Sequence, residues 1–271
     1  MIFSPNKFLK IAADPISIIP WGYGGILPVS NSSGIVMENA SVIFEIHAIK
    51  KNVFDINFNG NYIFFNTNIT QSILIGAPFG FELEDNITNI RITVNDTIIP
   101  YELIRIEEEY CPQWNDFLGS YYGSREFIIN NITFQSNYLT SISYSFSLYI
   151  DSGYAINWIK YDVGTSRAWG ENITESVDFR VHGVQPGSYS SGCIIAKIEN
   201  GKSYSWQWID TVIWENNVGI RYDQRSFIDK HSVVFMFLFY YGIPALILGA
   251  AIFIIIFLIK RKNKNKTKTN F

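Results

Sequence analysis

FDINFNGNYIFF, residues 54–65, decides how the rest of this chain is read. Asp55, Asn57, Asn59 and Gly60 fall at the first, third, fifth and sixth positions of a helix-flanked calcium loop. Such a loop needs a bidentate glutamate at its twelfth position, which here is Asn66. It also needs helices on both sides, whereas residues 62–65 are an aromatic and β-branched run suited to a strand. Phe54, Ile56 and Phe58 alternate with Asp55 and Asn57, and Asn59-Gly60 tolerates the positive φ angles of a two-residue hairpin turn. The stretch is expected to be two strands turning at Asn59-Gly60, with no metal.

The same period of two recurs along the chain and marks half-buried strands. In SISYSFSLYI, Ile142, Tyr144, Phe146, Leu148 and Ile150 share one face and Ser141, Ser143, Ser145 and Ser147 the other. Val42, Phe44, Ile46 and Ala48 alternate likewise, as do Ile90, Ile92 and Val94, and Val177, Phe179 and Val181. That phase sends His47 and His182 to the polar face as solvated side chains. Further hairpin turns are expected at Asn95-Asp96 and Asn200-Gly201. The fold class is all-β: two antiparallel β-sandwich modules in an ectodomain plus one C-terminal transmembrane α-helix. The expected divisions are a leading segment 1–30, modules 31–106 and 125–228 around an irregular connector 107–124, the helix with its flank 229–259, and a basic tail 260–271.

Residues 233–259 contain 27 consecutive uncharged positions, long enough to span a hydrocarbon layer of about 30 Å as a tilted helix. Aromatic rings crowd its start, and KRKNKNKTK follows its end. Positive residues stay inside, so the large N-terminal part is expected outside, tethered to the cell membrane by a single pass. Pro244 is expected to kink this helix or mark its entrance. Ala245 and Gly249 form a small-xxx-small pair through which two copies could associate. Before the apolar span there are seven glycosylation triplets, at Asn31, Asn39, Asn68, Asn86, Asn95, Asn131 and Asn172, which exceed the roughly three expected by chance and suit a sugar-decorated surface. MIFSPNKFLKIAADP is a poor signal segment, so either an upstream leader or the apolar helix itself is expected to direct export.

Net charge is -3, but six bases and no acids lie from Lys260 onward, leaving the body at -9. An acidic body argues against nucleic acid as a partner, because phosphate backbones call for a basic face. Cys111 and Cys193 are the only cysteines and can form at most one disulfide; neither CxxC nor zinc-ligand spacing occurs. No cofactor is implied.

Two stretches qualify as ligand sites. The connector brings Glu108, Glu109 and Asp116 close to Trp114, Tyr121 and Tyr122, and carboxylates beside rings suit sugars. Paired acids hydrolyse glycosides only at a defined separation, which a sequence does not give. Tyr204, Trp206 and Trp208 line one face of a strand, where they either stack on pyranose rings or, as preferred here, fill a core.

WGYGGILPVSNSSGIVMENASVIFEI, FFNTNITQSILIGAPFGFELEDNITNIRITVNDTIIPYE and YDVGTSRAWGENITESVDFRV resemble the motifs of uncharacterised prokaryotic surface proteins. These share a Gly-Gly-x-x-Pro opening, an early strand and a Gly-x-Pro turn before a second sheet. The resemblance implies β-sandwich modules held outside the cell by a membrane anchor, and no catalytic residues. The leading expectation is therefore a non-enzymatic surface protein with a structural, adhesion or recognition role, its partners the lipid bilayer and glycans or other surface proteins. The alternatives are a carbohydrate-binding or carbohydrate-active ectodomain and an accessory subunit of a membrane complex.

Overall fold

A computed structural model describes residues 18–23, 25–28, 34–79, 87–106, 125–170, 172–225 and 236–268. The described strands are β1 (Ile18–Tyr23), β2 (Leu27–Pro28), β3 (Ile35–Lys50), β4 (Val53–Asn66), β5 (Gln71–Phe79), β6 (Ile87–Val94), β7 (Thr97–Ile98) and β8 (Glu102–Ile106). They continue with β9 (Arg125–Phe134), β10 (Tyr138–Asp151), β11 (Ile156–Tyr161), β12 (Ile173–Gly183), β13 (Ser188–Tyr189), β14 (Ile194–Ile198), β15 (Gly201–Thr211) and β16 (Val218–Asp223). One sheet runs β13-β16-β11-β1-β5-β9-β8, with β2 on β5, and the other runs β14-β15-β12-β3-β4-β10-β6-β7. The second is called here the long sheet.

The two sheets face each other across one core. Phe44 meets Tyr161 at 6.3 Å between ring centroids, Phe54 meets Tyr222 at 4.7 Å, and Phe64 meets Phe134 at 5.7 Å. Each pair joins a strand of the long sheet to a strand of the other. The alternation expected for residues 141–150 holds, with Ile142, Tyr144, Phe146, Leu148 and Ile150 all buried. Val42, Phe44, Ile46, Ala48, Val177, Phe179 and Val181 are buried too.

Two expectations are corrected. The first concerns the opening stretch: β4 runs unbroken from Val53 to Asn66, so Asn59-Gly60 is mid-strand and not a turn. Apolar alternation continues straight through it, with Phe54, Ile56, Phe58, Tyr62 and Phe64 all buried on one face. Gly60 takes a core-face position where a Cβ would lie 2.7 Å from Tyr62 Oη and 3.0 Å from the Phe58 ring. The glycine is there because aromatic neighbours fill its space, not because the chain reverses. Reversal into β4 instead comes at Lys51–Asn52, between β3 and β4.

The second correction is to the two separate modules. Strands from both sides of residues 107–124 interleave within each sheet, β12 pairing with β3 in parallel and β10 with β4 antiparallel. The described residues as far as Gln224 form one compact unit. Alternation assigns faces and turns assign local hairpins, but β3 and β12 lie over a hundred residues apart, and nothing local encodes their pairing.

The turn at Asn95–Asp96 forms as expected, with φ of 49° and 65°, and joins β6 to β7. The later hairpin sits one residue upstream of the expectation: Glu199 and Asn200 (φ 56°) make the turn and Gly201 opens β15. Gly201 passes so close to β12 that a Cβ would overlap Val181 O.

A short 3-10 turn, Val163–Trp169, closes one end of the core. Trp169 Nε1 donates to Ile26 O at 2.6 Å, and a Cβ on Gly25 would overlap Thr165 Oγ1. The Gly-Gly-x-x-Pro opening and the YDVGTSRAW segment, quoted above as separate motifs, therefore dock on each other. Arg167 pins the loop before β16, donating to Ile213 O at 2.9 Å, Glu215 O at 3.1 Å and Asn216 Oδ1 at 2.6 Å.

The described residues from Arg225 onward form a second unit. Its helix passes through a π-type turn, Leu238–Gly242, and continues as α1 (Ile243–Lys268). Ile243 N–H donates to Leu238 O, a wider step than an α-helical bond. Pro244 has no N–H and its ring crowds the carbonyl four residues back, which explains the widened turn just before it. Leu238–Leu258 is 21 residues of mean hydropathy 2.5, about 31 Å long at 1.5 Å per residue. This helix is long and apolar enough to cross a membrane. Around Gly249 nothing lies within 4 Å of where a Cβ would be.

Candidate functional site

The outer face of the long sheet carries an ordered array of polar side chains. On an antiparallel or parallel ladder, directly opposed residues share a face, so rows can be read straight across the strands. One row is Ser203 on β15, Arg180 on β12, Glu45 on β3, Asn57 on β4 and Ser147 on β10. The next is Ser205, Asp178, Ile43, Asn59 and Ser145. A third places His182 beside His47, Asp55 and Tyr149.

Bonds tie these rows together. Arg180 donates to Glu45 Oε1 and to Asp178 Oδ2, each at 2.8 Å, and His182 Nε2 lies 3.2 Å from Glu45 Oε2. Both carboxylates raise the Arg180 guanidinium further above its ordinary range, the Asp178 hydrogen bond most. Asp178 Oδ1 also accepts from the Ser203 and Ser205 hydroxyls. The His47 and His182 rings stack at 4.9 Å and 19°. Further along, Ser141 and Ser143 donate to Asn61 Oδ1 at 3.1 Å, and Ser147 donates to Asn57 Oδ1 at 2.8 Å. These serines engage the amide oxygens, and among the described residues no acceptor takes the amide N–H donors of Asn57 and Asn61, which leaves them to a ligand or water. With Arg180 answered by Glu45 and Asp178, the face suits a neutral polar ligand better than a strongly charged one.

Histidines were expected on the polar face and are there, but alternation alone did not show that they touch. Glu175 was missed altogether. It is buried on the core side of β12, with the Tyr161 and Ser166 hydroxyls as hydrogen-bond neighbours and, among the described residues, no hydrogen-bond partner for Oε2. Burial pushes its carboxyl up to about 8. Tyr62 and Tyr161 hydroxyls meet at 3.3 Å beside it, and Tyr144 Oη donates to Asn130 Oδ1 at 2.9 Å. The signal was present: Glu175 is in phase with Val177, Phe179 and Val181. This cluster is sealed, so it belongs to the core rather than to a binding surface.

Of the residues singled out from the sequence, Glu108, Glu109, Trp114, Asp116, Tyr121, Tyr122 and Cys111 lie outside the described residues. Trp206 is buried in the core, 3% exposed, with its ring edge-on to Phe179 at 5.4 Å, and Trp208 packs half-buried against the same core. Trp206 therefore fills the core and offers no ring face to a sugar. Among the described residues Cys193 forms no disulfide, and burial pushes its thiol up to about 11. Asn39, Asn68, Asn95, Asn131 and Asn172 are all exposed, whereas Asn31 and Asn86 lie outside the described residues. Among the described residues no group of three or more His, Cys, Asp or Glu side chains is placed to hold a metal ion.

No family model matches the chain, and no curated protein matches it in sequence. Among solved structures, it is similar to a protein from Legionella pneumophila named for a candidate role in nutrient binding. The TM-score is 0.53 at 17% identity, over 75% of this chain and 72% of that one. An M1 zinc metallopeptidase from Deinococcus radiodurans matches with a TM-score of 0.37 at 7% identity, over 69% of this chain and 42% of that one. Yeast LTA4 hydrolase matches with a TM-score of 0.38 at 10% identity, over 72% and 30%. The Legionella likeness extends to the fold alone: a mostly β body of two sheets.

Proposed function

We propose that this chain is a membrane-tethered surface protein whose β-sheet body lies outside the cell and serves recognition, adhesion or envelope structure, without chemistry of its own. One observation carries the proposal: a 21-residue helix of mean hydropathy 2.5, followed by a run of lysines and an arginine, attached to an acidic β body. The exposed sequon asparagines suit a body outside the membrane. Its recognition surface is the outer face of the long sheet.

Carbonate extraction and protease treatment of intact cells test this. The expected result is full-length chain in the membrane pellet, with the β body cut away by external protease. Recovery of intact chain in the soluble fraction, or a protected body, overturns it.

A second proposal, carbohydrate binding, is favoured by the Asn-Ser array and its free amide donors. Binding of the full chain to a glycan array, reduced by Asn57→Ala with Asn61→Ala and unaffected by Ile69→Ser, supports it. Turnover on a polysaccharide panel would instead make the protein an enzyme. Co-purification of a membrane protein, weakened by Gly249→Leu, would favour an accessory subunit.

A further inference from the structure

The edge strand of a sheet presents a row of unpaired backbone N–H and C=O groups, onto which another strand can add. Among the described residues the two sheets have four such edges. β7 and β13 are two residues long, and β8 carries the exposed Glu102 in its five residues. Short length and charge both discourage strand addition. β14 is unlike the other three. Its five residues read IIAKI, with one charge at Lys197, and Ile194 and Ile195 are 70% and 43% exposed. Among the described residues no strand lies beyond it.

We propose that β14 is a self-association edge: two copies of this chain pair antiparallel along β14, joining their long sheets into one. Geometry selects the register. Ile194 opposes Ser205 and Ala196 opposes Ser203, which puts both on the outer face, whereas Ile195 opposes Tyr204 on the core side. A two-fold axis normal to the sheet keeps the outer face outward in both copies, so opposed residues must have the same parity. Centred on the strand, this sets Ala196 against Ala196, Ile194 against Ile198 and Ile195 against Lys197.

Every residue of the strand then has a partner, and no like charges oppose each other. The outer face reads Ile, Ala, Ile in either direction, so the segment is its own complement. That symmetry makes a second copy the occupant. On the core side the aliphatic stem of Lys197 covers Ile195 of the other copy. The inference does not depend on where the chain is located in the cell.

Cross-linking of the full chain in detergent tests it, using Ala196→Cys in a background of Cys111→Ser and Cys193→Ser. Directly opposed Cα atoms in an antiparallel pair are about 4.5–5.5 Å apart, inside the disulfide window of about 4.4–6.8 Å. Mild oxidation is expected to convert most of this variant to a covalent dimer. Ser145→Cys, on the same face at mid-sheet, is expected to give none. Adding Ile194→Lys, which sets a charge against Ile198 of the other copy, is expected to cut the dimer about tenfold, while adding Gly249→Leu leaves it unchanged. A monomeric Ala196→Cys variant overturns the proposal, as does cross-linking no greater than that of Ser145→Cys or indifferent to Ile194→Lys. Circular dichroism and melting of each variant verify that the fold is intact. Intact chain in the soluble fraction would overturn membrane tethering and leave the cross-link result standing.

Discussion

The two faces of the long sheet differ by a single step along each strand and by almost everything else. Inward, a row of rings crosses five strands: Tyr204, Phe179, Phe44, Phe58 and Phe146 are mutual partners in register. Phe44 stacks on Phe179 at 4.4 Å, and Phe58 stacks on Phe146 at 4.6 Å. Outward, the neighbouring row is Ser203, Arg180, Glu45, Asn57 and Ser147. Both rows use cross-strand pairing, but the rings gain from burial while the polar pairs remain partly wet. Stability should therefore reside in one face, leaving the other free to vary with function.

The largest expected effect tests that division directly. Phe44 touches rings from three strands, and Phe44→Ala should cost about 3–5 kcal/mol through lost burial and a residual cavity. Glu45→Ala, one residue on, should cost under about 1 kcal/mol. Chemical denaturation of the pair measures both, and equal losses would break the contrast.

Glu175 sharpens it, because it is an outer-face kind of residue in an inner-face position. Its folded-state carboxyl is raised to about 8 from an ordinary 4.5 by burial. The folded state thus holds a proton that the unfolded chain releases. This contribution to stability is fully present below about pH 4.5, declines as pH rises towards 8, and levels off above it. The slope is at most about 1.4 kcal/mol per pH unit over that window. Glu175→Gln should flatten the slope and raise the melting temperature at pH 8. Melting curves from pH 5 to 9 that are parallel for the two proteins would show that the carboxyl is not held neutral.

Gly60 comes next. It sits on the inner face, where a Cβ would meet Tyr62 and Phe58 atoms at 2.7–3.0 Å. Gly60→Ala should cost about 1–3 kcal/mol by overpacking, although alanine is the better strand residue on backbone entropy alone. A stabilised Gly60→Ala variant would mean that the ring cluster has room to adjust.

Gly60 also shows what the sequence could and could not convey. Alternation along residues 54–65 was legible and placed Phe54, Ile56 and Phe58 correctly in the core. Asn59-Gly60 carries a turn signal, but a glycine required by its neighbours' bulk has the same letter as one required by a positive φ. The difference is visible only when Tyr62 and Phe58 are seen to fill the space. In the same way, each of His47, His182, Glu45 and Arg180 could be assigned a face. Their meeting depends on the parallel pairing of β3 with β12, a long-range event without a local code. Glu175 was legible and overlooked: an acid in step with three core residues is a buried acid.

The smallest expected effect lies on the outer face itself. Arg180 and Glu45 are 39% and 31% exposed in their side chains and meet at 2.8 Å. Water screens such a pair, and holding two long side chains in place costs entropy, so a double-mutant cycle of Arg180→Ala and Glu45→Ala should give a coupling of about 0.2–1 kcal/mol. Raising salt to 1 M should shrink it further, because the screening length falls to about 3 Å. A coupling well above that range would mean that the Asp178, Arg180, Glu45 and His182 network acts as a rigid structural strap, and the outer face would share the inner face's role. A small coupling leaves the fold indifferent to these residues, so that any loss of ligand binding on their substitution reports on recognition and not on folding.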